Sequence, residues 1–411
     1  MLENQFRLTI DAMVYEGNGL GRLPNGKAVF IPFVLPGEEV IAEVVDEKPG
    51  HIRARLVSVE KPHPQRIQPR CVHFGTCGGC HYQHLPYALQ LEIKKEILRE
   101  QLQRLAGLEN PMIDTVILST SEWNYRNSLQ FGLNQQAQLC FSDMAENQLF
   151  PVSECWLPMA EIGKLWPLAE FEPGLDIERI EYRQNLEGDL MMVLSGVGEE
   201  MPEMASEATL SIVHSRGDEQ IVIAGDSFLT MPVKGRQFRV SAGSFFQTNF
   251  SGASALVDRV LDIARRERPR NLLDVYCGVG LFSAFLADSV STITGVEYSP
   301  LACDDYAENL DEFDNITLYQ GKAEHILPSI PKGFDCMIVD PPRAGLHREM
   351  VTEIISHDPR LLIYVSGNPA TLARDAKGLF EAGYRLESCT LVDMFPQTFH
   401  MESVNLFTKK R

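Results

Sequence analysis

The stretch Leu272-Leu273-Asp274-Val275-Tyr276-Cys277-Gly278-Val279-Gly280-Leu281-Phe282 decides the fold. An apolar run ends in an acid, a tight glycine turn follows, and an amphipathic pattern begins straight after it. That order predicts a buried strand, a turn and a helix, the opening of a nucleotide-binding α/β unit. The glycines suit the turn because a backbone without Cβ bends sharply and lets a ligand lie against it.

The pattern continues outward. A helix is expected over 253–265, then strands at 272–276, 292–297, 316–320, 336–340 and 361–366, with a final pair near 384–392 and 403–409. Helical stretches lie between most of them. Such alternation reads as parallel strands with right-handed crossovers, an α/β fold. Ligands in such sheets bind at the carboxyl ends of the strands. Here those ends are Tyr276 with its turn, Glu297, Asp340 and Ser366. An acid at Glu297 can take two ribose hydroxyls, which serves NAD or S-adenosylmethionine. The turn departs from Gly-x-Gly-x-x-Gly and no basic residue nearby suits a pyrophosphate, so the phosphate-free methyl donor fits better. Asp340-Pro341-Pro342-Arg343-Ala344-Gly345 sets an acid beside prolines that cannot donate and that hold a loop open.

Length and composition agree. At 411 residues the chain implies two or three domains. No apolar run approaches the ~20 residues of a membrane helix, and the first residues lack signal-peptide order, so a cytoplasmic protein is expected. Nine cysteines then read as thiols or metal ligands rather than disulfides. The net charge of −19 argues against a generic nucleic-acid binder, yet residues 1–110 balance 13 basic against 13 acidic side chains. Within them Lys48, Arg53, Arg55, Lys61, Arg66 and Arg70 gather around a single acid, Glu60. Such a basic stripe can hold phosphates, or be a solvated strand face.

Residues 5–60 read as short strands broken by glycine turns, a small barrel or sandwich. Lys61-Pro62-His63-Pro64 is a stiff boundary. Cys71, Cys77 and Cys80 follow within ten residues, glycines between them, as a thiolate claw. Cys155 and Cys140 are candidates for a fourth ligand, and zinc and an iron–sulfur cluster both fit four thiolates. His73 and His81 read as surface or packing residues. Residues 87–108 have helical periodicity, with Gly107 near the end. Residues 111–235 are strand-rich and acidic, with strand candidates at 116–119, 190–194, 209–213 and 220–224 and an exposed acidic loop around Pro202-Glu203-Met204.

Taken whole, the chain resembles the S-adenosylmethionine-dependent RNA 5-methyluridine methyltransferases, in the branch with an N-terminal TRAM domain and an iron–sulfur cluster. The resemblance implies a TRAM barrel, OB-like and RNA-binding, over 1–62. It implies a central iron–sulfur and RNA-recognition unit over 63–235, whose helix 87–108 can pack on the next unit, and a Rossmann-like class I methyltransferase domain over 236–411. It implies a [4Fe–4S] cluster, rather than zinc, on Cys71, Cys77, Cys80 and Cys155. Cofactor positions fall on Gln247, Tyr276, Glu297 and Asp340, with Gly278, Gly280 and Leu281 of the turn. Phe245, in Phe245-Phe246-Gln247-Thr248-Asn249, with Arg53 and Arg55, is the expected RNA contact. In His400-Met401-Glu402-Ser403 the family's general base falls on Glu402. The implied partner is RNA, rRNA first and tRNA second, with no membrane and a monomeric chain.

One position departs. In the family a cysteine adds to uracil C6 so that C5 can attack the sulfonium methyl, and its motif is Ser-Cys-Asn-Pro. This chain has Ser366-Gly367-Asn368-Pro369. Ser366 and Cys389 are the nearest substitutes in sequence, and the Asp-Pro-Pro region offers no thiol. Three readings stay open: a methyltransferase with a relocated nucleophile, one whose acceptor needs none (such as an exocyclic amine), and a pseudoenzyme that binds RNA and the methyl donor. A dinucleotide oxidoreductase is disfavoured by the turn and by the N-terminal module.

Overall fold

The structure, a computed structural model, describes residues 4–144, 148–196, 209–217 and 219–409. The acidic loop expected around Pro202-Glu203-Met204 lies outside them.

The N-terminal strands β1 (Gln5–Met13), β2 (Asn18–Arg22), β3 (Ala28–Pro32), β4 (Glu39–Glu47) and β5 (His51–Lys61) close a barrel in the order β1-β2-β3-β5-β4. Alternate residues point inward, so Leu8, Ile10, Val29, Ile31, Val40, Ala42, Ile52 and Ala54 form its core. Beyond the barrel, Arg66 makes two hydrogen bonds to the buried Glu38 carboxylate (2.6 and 2.8 Å), which fastens the exit segment to the barrel wall.

Helix α1 (Tyr87–Ala106) ends at Gly107, whose left-handed backbone (φ 77°) lets its N–H reach the Leu102 carbonyl. Strand β6 (Thr115–Ile117) follows. The middle of the chain folds as β7 (Ser128–Leu133), β8 (Leu139–Ser142), β9 (Leu149–Pro151), a short helix α2 (Ala160–Leu165), β10 (Ile177–Gln184), β11 (Leu190–Gly196), β12 (Ser211–Arg216) and β13 (Glu219–Ala224). Its sheet has the order β13-β12-β11-β10-β7-β8-β9. A hairpin, β14 (Phe228–Val233) with β15 (Arg236–Ser241), leads into helix α3 (Phe250–Glu267).

The C-terminal part then runs β16 (Asn271–Val275), α4 (Leu281–Leu286), β17 (Thr292–Glu297), α5 (Pro300–Asn309), β18 (Ile316–Gln320), α6 (Ala323–Ile326), β19 (Cys336–Val339), α7 (Arg348–His357), β20 (Leu361–Ser366), α8 (Pro369–Glu381), β21 (Arg385–Val392) and β22 (Glu402–Thr408). The eight-stranded sheet has the order β18-β17-β16-β19-β20-β22-β21-β6. β16, β19 and β20 are apolar and covered on both faces, as parallel central strands require. Helices α3, α5 and α8 each start on a side chain that caps them: Asn249, Ser299 and Asn368 accept from backbone N–H groups of the first turn.

Three features differ from the sequence expectation. The final strands are not parallel: β22 inserts between β20 and β21, antiparallel to both. The connection 393–401 is too short for a helical crossover, so the chain can only return antiparallel. Second, the strand candidate near 116–119 is the sheet's outer strand, β6, parallel to β21. It joins α1, which packs on α8 as expected of helix 87–108 and pairs its buried Lys94 with Asp393, in the C-terminal layer. Third, the β14–β15 hairpin packs its Leu229, Met231, Val233, Phe238 and Val240 into the C-terminal core, so position 235 lies inside one packed unit rather than between two.

Candidate active site

The first strand end holds a strained turn. Tyr276 adopts the left-handed region at φ 63°, which a bulky side chain avoids unless its surroundings impose it. Here the N–H groups of Tyr276 and Cys277 both donate to the Val296 carbonyl (2.9 and 3.2 Å). Gly280 sits at φ 90°, and a Cβ there would come within 2.3 Å of Leu310, so this turn needs glycine twice over. Leu281 opens α4 and is buried. Below the turn, Ser283 donates to the buried Asp274 carboxylate (2.7 Å), whose other oxygen has no protein partner; burial pushes that carboxyl up to about 7.

Glu297 ends β17 directly over the turn. Its carboxylate accepts from the N–H groups of Gly278 (3.0 Å), Tyr298 (2.7 Å) and Ser299 (2.8 Å). Three backbone donors fix its orientation, two on Oε1 and one on Oε2, and leave one lone pair on Oε2 for a hydroxyl donor.

The ends of β19, β20 and β22 adjoin, and they bring together Asp340, Gly367 and Glu402. Glu402 belongs to this edge because β22 runs antiparallel and starts where its neighbours stop; Ser366 pairs with Ser403. A Cβ built on Gly367 would lie 2.8 Å from Glu402 Oε1, and the atoms nearest to it all belong to Glu402. Burial raises the Glu402 carboxyl to about 8, with Asp340 adding and Arg343 opposing. Burial, helped by Asp274, raises Asp340 to about 7. Asn368 ties the Asp-Pro-Pro loop to the start of α8 through the Arg343 carbonyl (3.1 Å). His400 lies against Phe399, with ring centroids 4.1 Å apart; burial and the Arg343 charge hold it at about 2, so it is a neutral imidazole.

Ser366 and Cys389, the two residues considered as nucleophiles, are both engaged or buried. The Ser366 hydroxyl donates to the Asn368 carbonyl (3.1 Å) and accepts from the Asn368 N–H (3.3 Å). Cys389 is fully buried within β21 opposite Asn405, three residues before the register that reaches Glu402, and burial pushes its thiol up.

Residues 241–249 approach along the hairpin. The buried Asp305 on α5 accepts from Ser241 N–H, Ser241 Oγ and Ser244 Oγ, while Arg183 of β10 donates to the Ser241 and Ser244 carbonyls. Phe245 is left 70% exposed, Gln247 is buried, and Asn127 grips the Gln247 carbonyl (2.9 Å).

A cleft of about 1380 Å³ runs between the barrel and the cysteine segment. Cys71, Cys77, Cys80 and Cys155 line it together, as do Arg53 and Arg55. Cys140 stands apart on β8, donating to the Gln138 carbonyl. The four lining sulfurs feel one another electrostatically, and burial raises each thiol. Among the described residues, no three His, Cys, Asp or Glu side chains are drawn in as a formed metal-ligand group. The Gly79 N–H faces Cys77 Sγ (3.3 Å), and the amides of His73 and Leu157 favour the thiolates of Cys71 and Cys155. His73 instead bonds Ser153, and His81 is buried, held down at about 4 by desolvation.

The basic stripe is largely neutralised by nearby acids, two of them across the β4–β5 pair. Arg55 pairs with Glu43 (2.9 Å), Lys61 with Glu39 (3.6 Å), Lys48 with Asp46 (3.7 Å) and Arg66 with Glu38. Arg70 lies over the Trp156 ring at 3.8 Å. Among the described residues Arg53 is exposed and makes no ion pair. A count along the sequence misses Glu39 and Glu43 because they come from the neighbouring strand β4, and Glu38 because it is 28 residues from Arg66.

Residues 181–410 match the family described as tRNA (uracil-5-)-methyltransferase. The chain belongs to that family. A TRAM domain matches residues 5–57, the closed barrel. An uncharacterized RNA methyltransferase of Aquifex aeolicus is 33% identical over the full length of both chains, and one of Listeria monocytogenes is 32% identical over 97% of this chain and 96% of its own. Among solved structures, Pyrococcus abyssi tRNA (uracil-54, C5)-methyltransferase in complex with S-adenosyl-L-homocysteine superposes with a TM-score of 0.74 at 24% identity, over 98% of this chain and all of that one. The shared fold is the class I methyltransferase sheet with an N-terminal five-stranded barrel.

In this methyltransferase several site-shaping residues escape a linear reading. Asp305, Asn127 and Arg183 shape the 241–249 segment from remote positions. Lys94 had one visible signal, a lysine among the apolar positions of α1. The left-handed Tyr276 had none beyond occupying a place where glycine is usual.

Proposed function

We propose that the protein transfers the methyl group of S-adenosylmethionine to a base in RNA. The observation that carries this reading is the arrangement of Glu297, Asp340 and Glu402 along one edge of the sheet, around a glycine turn at its switch point. Gln247, Tyr276, Gly278, Gly280, Leu281, Glu297 and Asp340 would hold the donor, with Glu297 accepting from a ribose hydroxyl. The donor supplies an electrophilic methyl group. Glu402 is the general base: burial beside Asp340 raises its carboxyl to about 8, so the ionised form, which gains population as pH rises towards that value, is a stronger base than an ordinary carboxylate. The superposing archaeal enzyme holds S-adenosyl-L-homocysteine, which supports the donor. The TRAM barrel, with exposed Arg53 on the cleft, supports RNA as the partner.

Cys71, Cys77, Cys80 and Cys155 would hold a [4Fe–4S] cluster; four thiols on one cleft, three of them met by backbone amides, are a donor set that fits it. Cys80→Ser should remove bound iron and visible absorbance from protein purified without oxygen. Colourless protein carrying zinc would overturn the assignment.

Calorimetry with S-adenosylhomocysteine tests the donor site. Glu297→Ala removes a charged acceptor for a ribose hydroxyl, worth ~1.5–3 kcal/mol, so affinity should fall at least ~10-fold. Unchanged affinity would refute the placement.

A further inference from the structure

Three distant parts of the chain meet on one ring. Phe399 lies in the 393–401 connection, shortly before Glu402. Tyr15, in the turn between β1 and β2 of the barrel, meets it with ring centroids 5.5 Å apart and planes at 85°. His81 of the cysteine segment lies edge-on to the same ring at 4.5 Å, and His400 lies against it at 4.1 Å. Edge-to-face contacts of this kind are favourable and directional. Next to the ring, the N–H groups of His81 and Tyr82 both donate to the Gln397 carbonyl (2.9 and 3.0 Å).

The barrel turn is shaped for this meeting. Glu16 stands in the left-handed region at φ 71°, which a glutamate avoids unless its surroundings impose it. Gly17 follows at φ 78°, and a Cβ there would come 3.1 Å from His81 Cβ and 3.5 Å from Phe399 Cβ. Tyr15 packs with the C-terminal core, beside Phe399 and together with the buried Met13, Leu35 and Met401, and takes no part in the barrel's own core. Burial raises its phenol to about 12, and the charges of Arg343 and Glu402 both act on it, so a barrel residue stands within electrostatic reach of the site. Tyr15 and Phe399 are only half-buried, and both line the cleft that carries Arg53.

We propose that Phe399 is a positioning residue for Glu402 and that Tyr15 acts through it, so that the barrel helps to set the general base. The inference rests on the reading of Glu402 given above. The chain between Phe399 and Glu402 is short, and its middle residue, Met401, is buried in the core. A ring held by Tyr15 on one side and His81 on another therefore leaves the following carboxylate little freedom. A misplacement of about 1 Å at a reacting group costs up to ~100-fold in rate. Neither Tyr15 nor Phe399 needs to touch the reacting atoms for this effect. The module that binds RNA then also holds the base in register.

The test measures methyl transfer from labelled S-adenosylmethionine to unmodified rRNA and tRNA transcripts by the full-length protein. Tyr15→Leu, Tyr15→Phe, Phe399→Leu, the double leucine variant and Glu402→Gln are run beside it. Affinity for S-adenosylhomocysteine checks folding, and RNA affinity is read by filter binding. The expected result is a kcat lowered ~10–100-fold by Phe399→Leu and about 10-fold by Tyr15→Leu, with KM and both affinities within ~3-fold of the natural values. Tyr15→Phe keeps the ring edge and should restore kcat. The double variant should be no slower than Phe399→Leu, because Tyr15 acts through that ring. Losses confined to KM or RNA affinity would overturn the proposal, since the rings would then only hold RNA. So would additive losses, or a Tyr15→Phe variant as slow as Tyr15→Leu. A Glu402→Gln variant as fast as the natural protein would strike the general-base reading instead. If the natural protein transfers no methyl group, the functional reading fails, and amide exchange over 399–404 decides the contact: protection unchanged by Phe399→Leu and Tyr15→Leu would overturn it.

Discussion

Lys94→Met tests how the base-bearing end of the sheet is secured. Lys94 is fully buried on α1, and its ammonium donates to Asp393 Oδ1 (2.6 Å) and to the Phe395 carbonyl (3.0 Å). Desolvation lowers the lysine pKa and the Asp393 charge opposes that shift, so the pair stands only while both members are present. Asp393 begins the 393–401 connection, which delivers His400 and Glu402 to the site. The same connection is held by paired hydrogen bonds between Gln90 and Gln397 (2.9 and 3.0 Å), by the N–H groups of His81 and Tyr82 on the Gln397 carbonyl, and by Tyr125 on the Pro396 carbonyl. Methionine keeps most of the volume, so the loss is chiefly electrostatic. Removing one member of a buried pair costs about 3–5 kcal/mol. At ~2–4 °C per kcal/mol for a body of this size, the thermal midpoint should fall by roughly 6–20 °C, followed by circular dichroism. Lys94→Met with Asp393→Leu should recover most of that loss, because no charge is then left buried. A fall of less than ~2 °C, or a double variant no better than the single one, would refute the reasoning.

Methyl transfer should rise with pH and level off above about 8, because Glu402 must be ionised to take a proton and its folded value is raised to about 8; a flat rate through that range would exclude it as the base. The same raised value means that the fold favours the protonated acid, so the stability it contributes is complete below the ordinary carboxylate value and is lost as pH rises through about 8. Gly280→Ala forces a Cβ into Leu310 at a left-handed position and should cost roughly 1–3 kcal/mol, visible in denaturant unfolding together with weaker binding of S-adenosylhomocysteine. Wild-type stability would show that the turn relaxes. Arg53→Ala should weaken RNA binding and lower the salt slope by about 1, and Arg55→Ala should do so less, because Glu43 already engages Arg55; equal effects in filter binding across a salt series would contradict that ranking.

Much of the site could be read along the chain because parallel α/β folds write their chemistry at strand ends. The residues that close β16, β17 and β19 follow runs whose apolar patterning marks them as buried, so the strand-end positions of Tyr276, Glu297 and Asp340 were legible. Glu402 was harder. Nothing local shows that β22 runs backwards between β20 and β21, and only that reversal brings its first residue beside Asp340 and Gly367.

By itself the sequence determined the barrel, the alternating C-terminal unit, the acids at its strand ends and the glycine at 367, because each is carried by local periodicity, turn chemistry or residue identity. The tertiary structure decided which cysteine joins the first three on the cleft, that α1 and β6 belong to the C-terminal layer, that acids near in space, two of them cross-strand, neutralise most of the basic stripe, and that none of the cysteines stands at Gly367. Those are matters of which distant segments meet. Proximity between residues separated by hundreds of positions is set by packing the whole chain, and no local pattern encodes it.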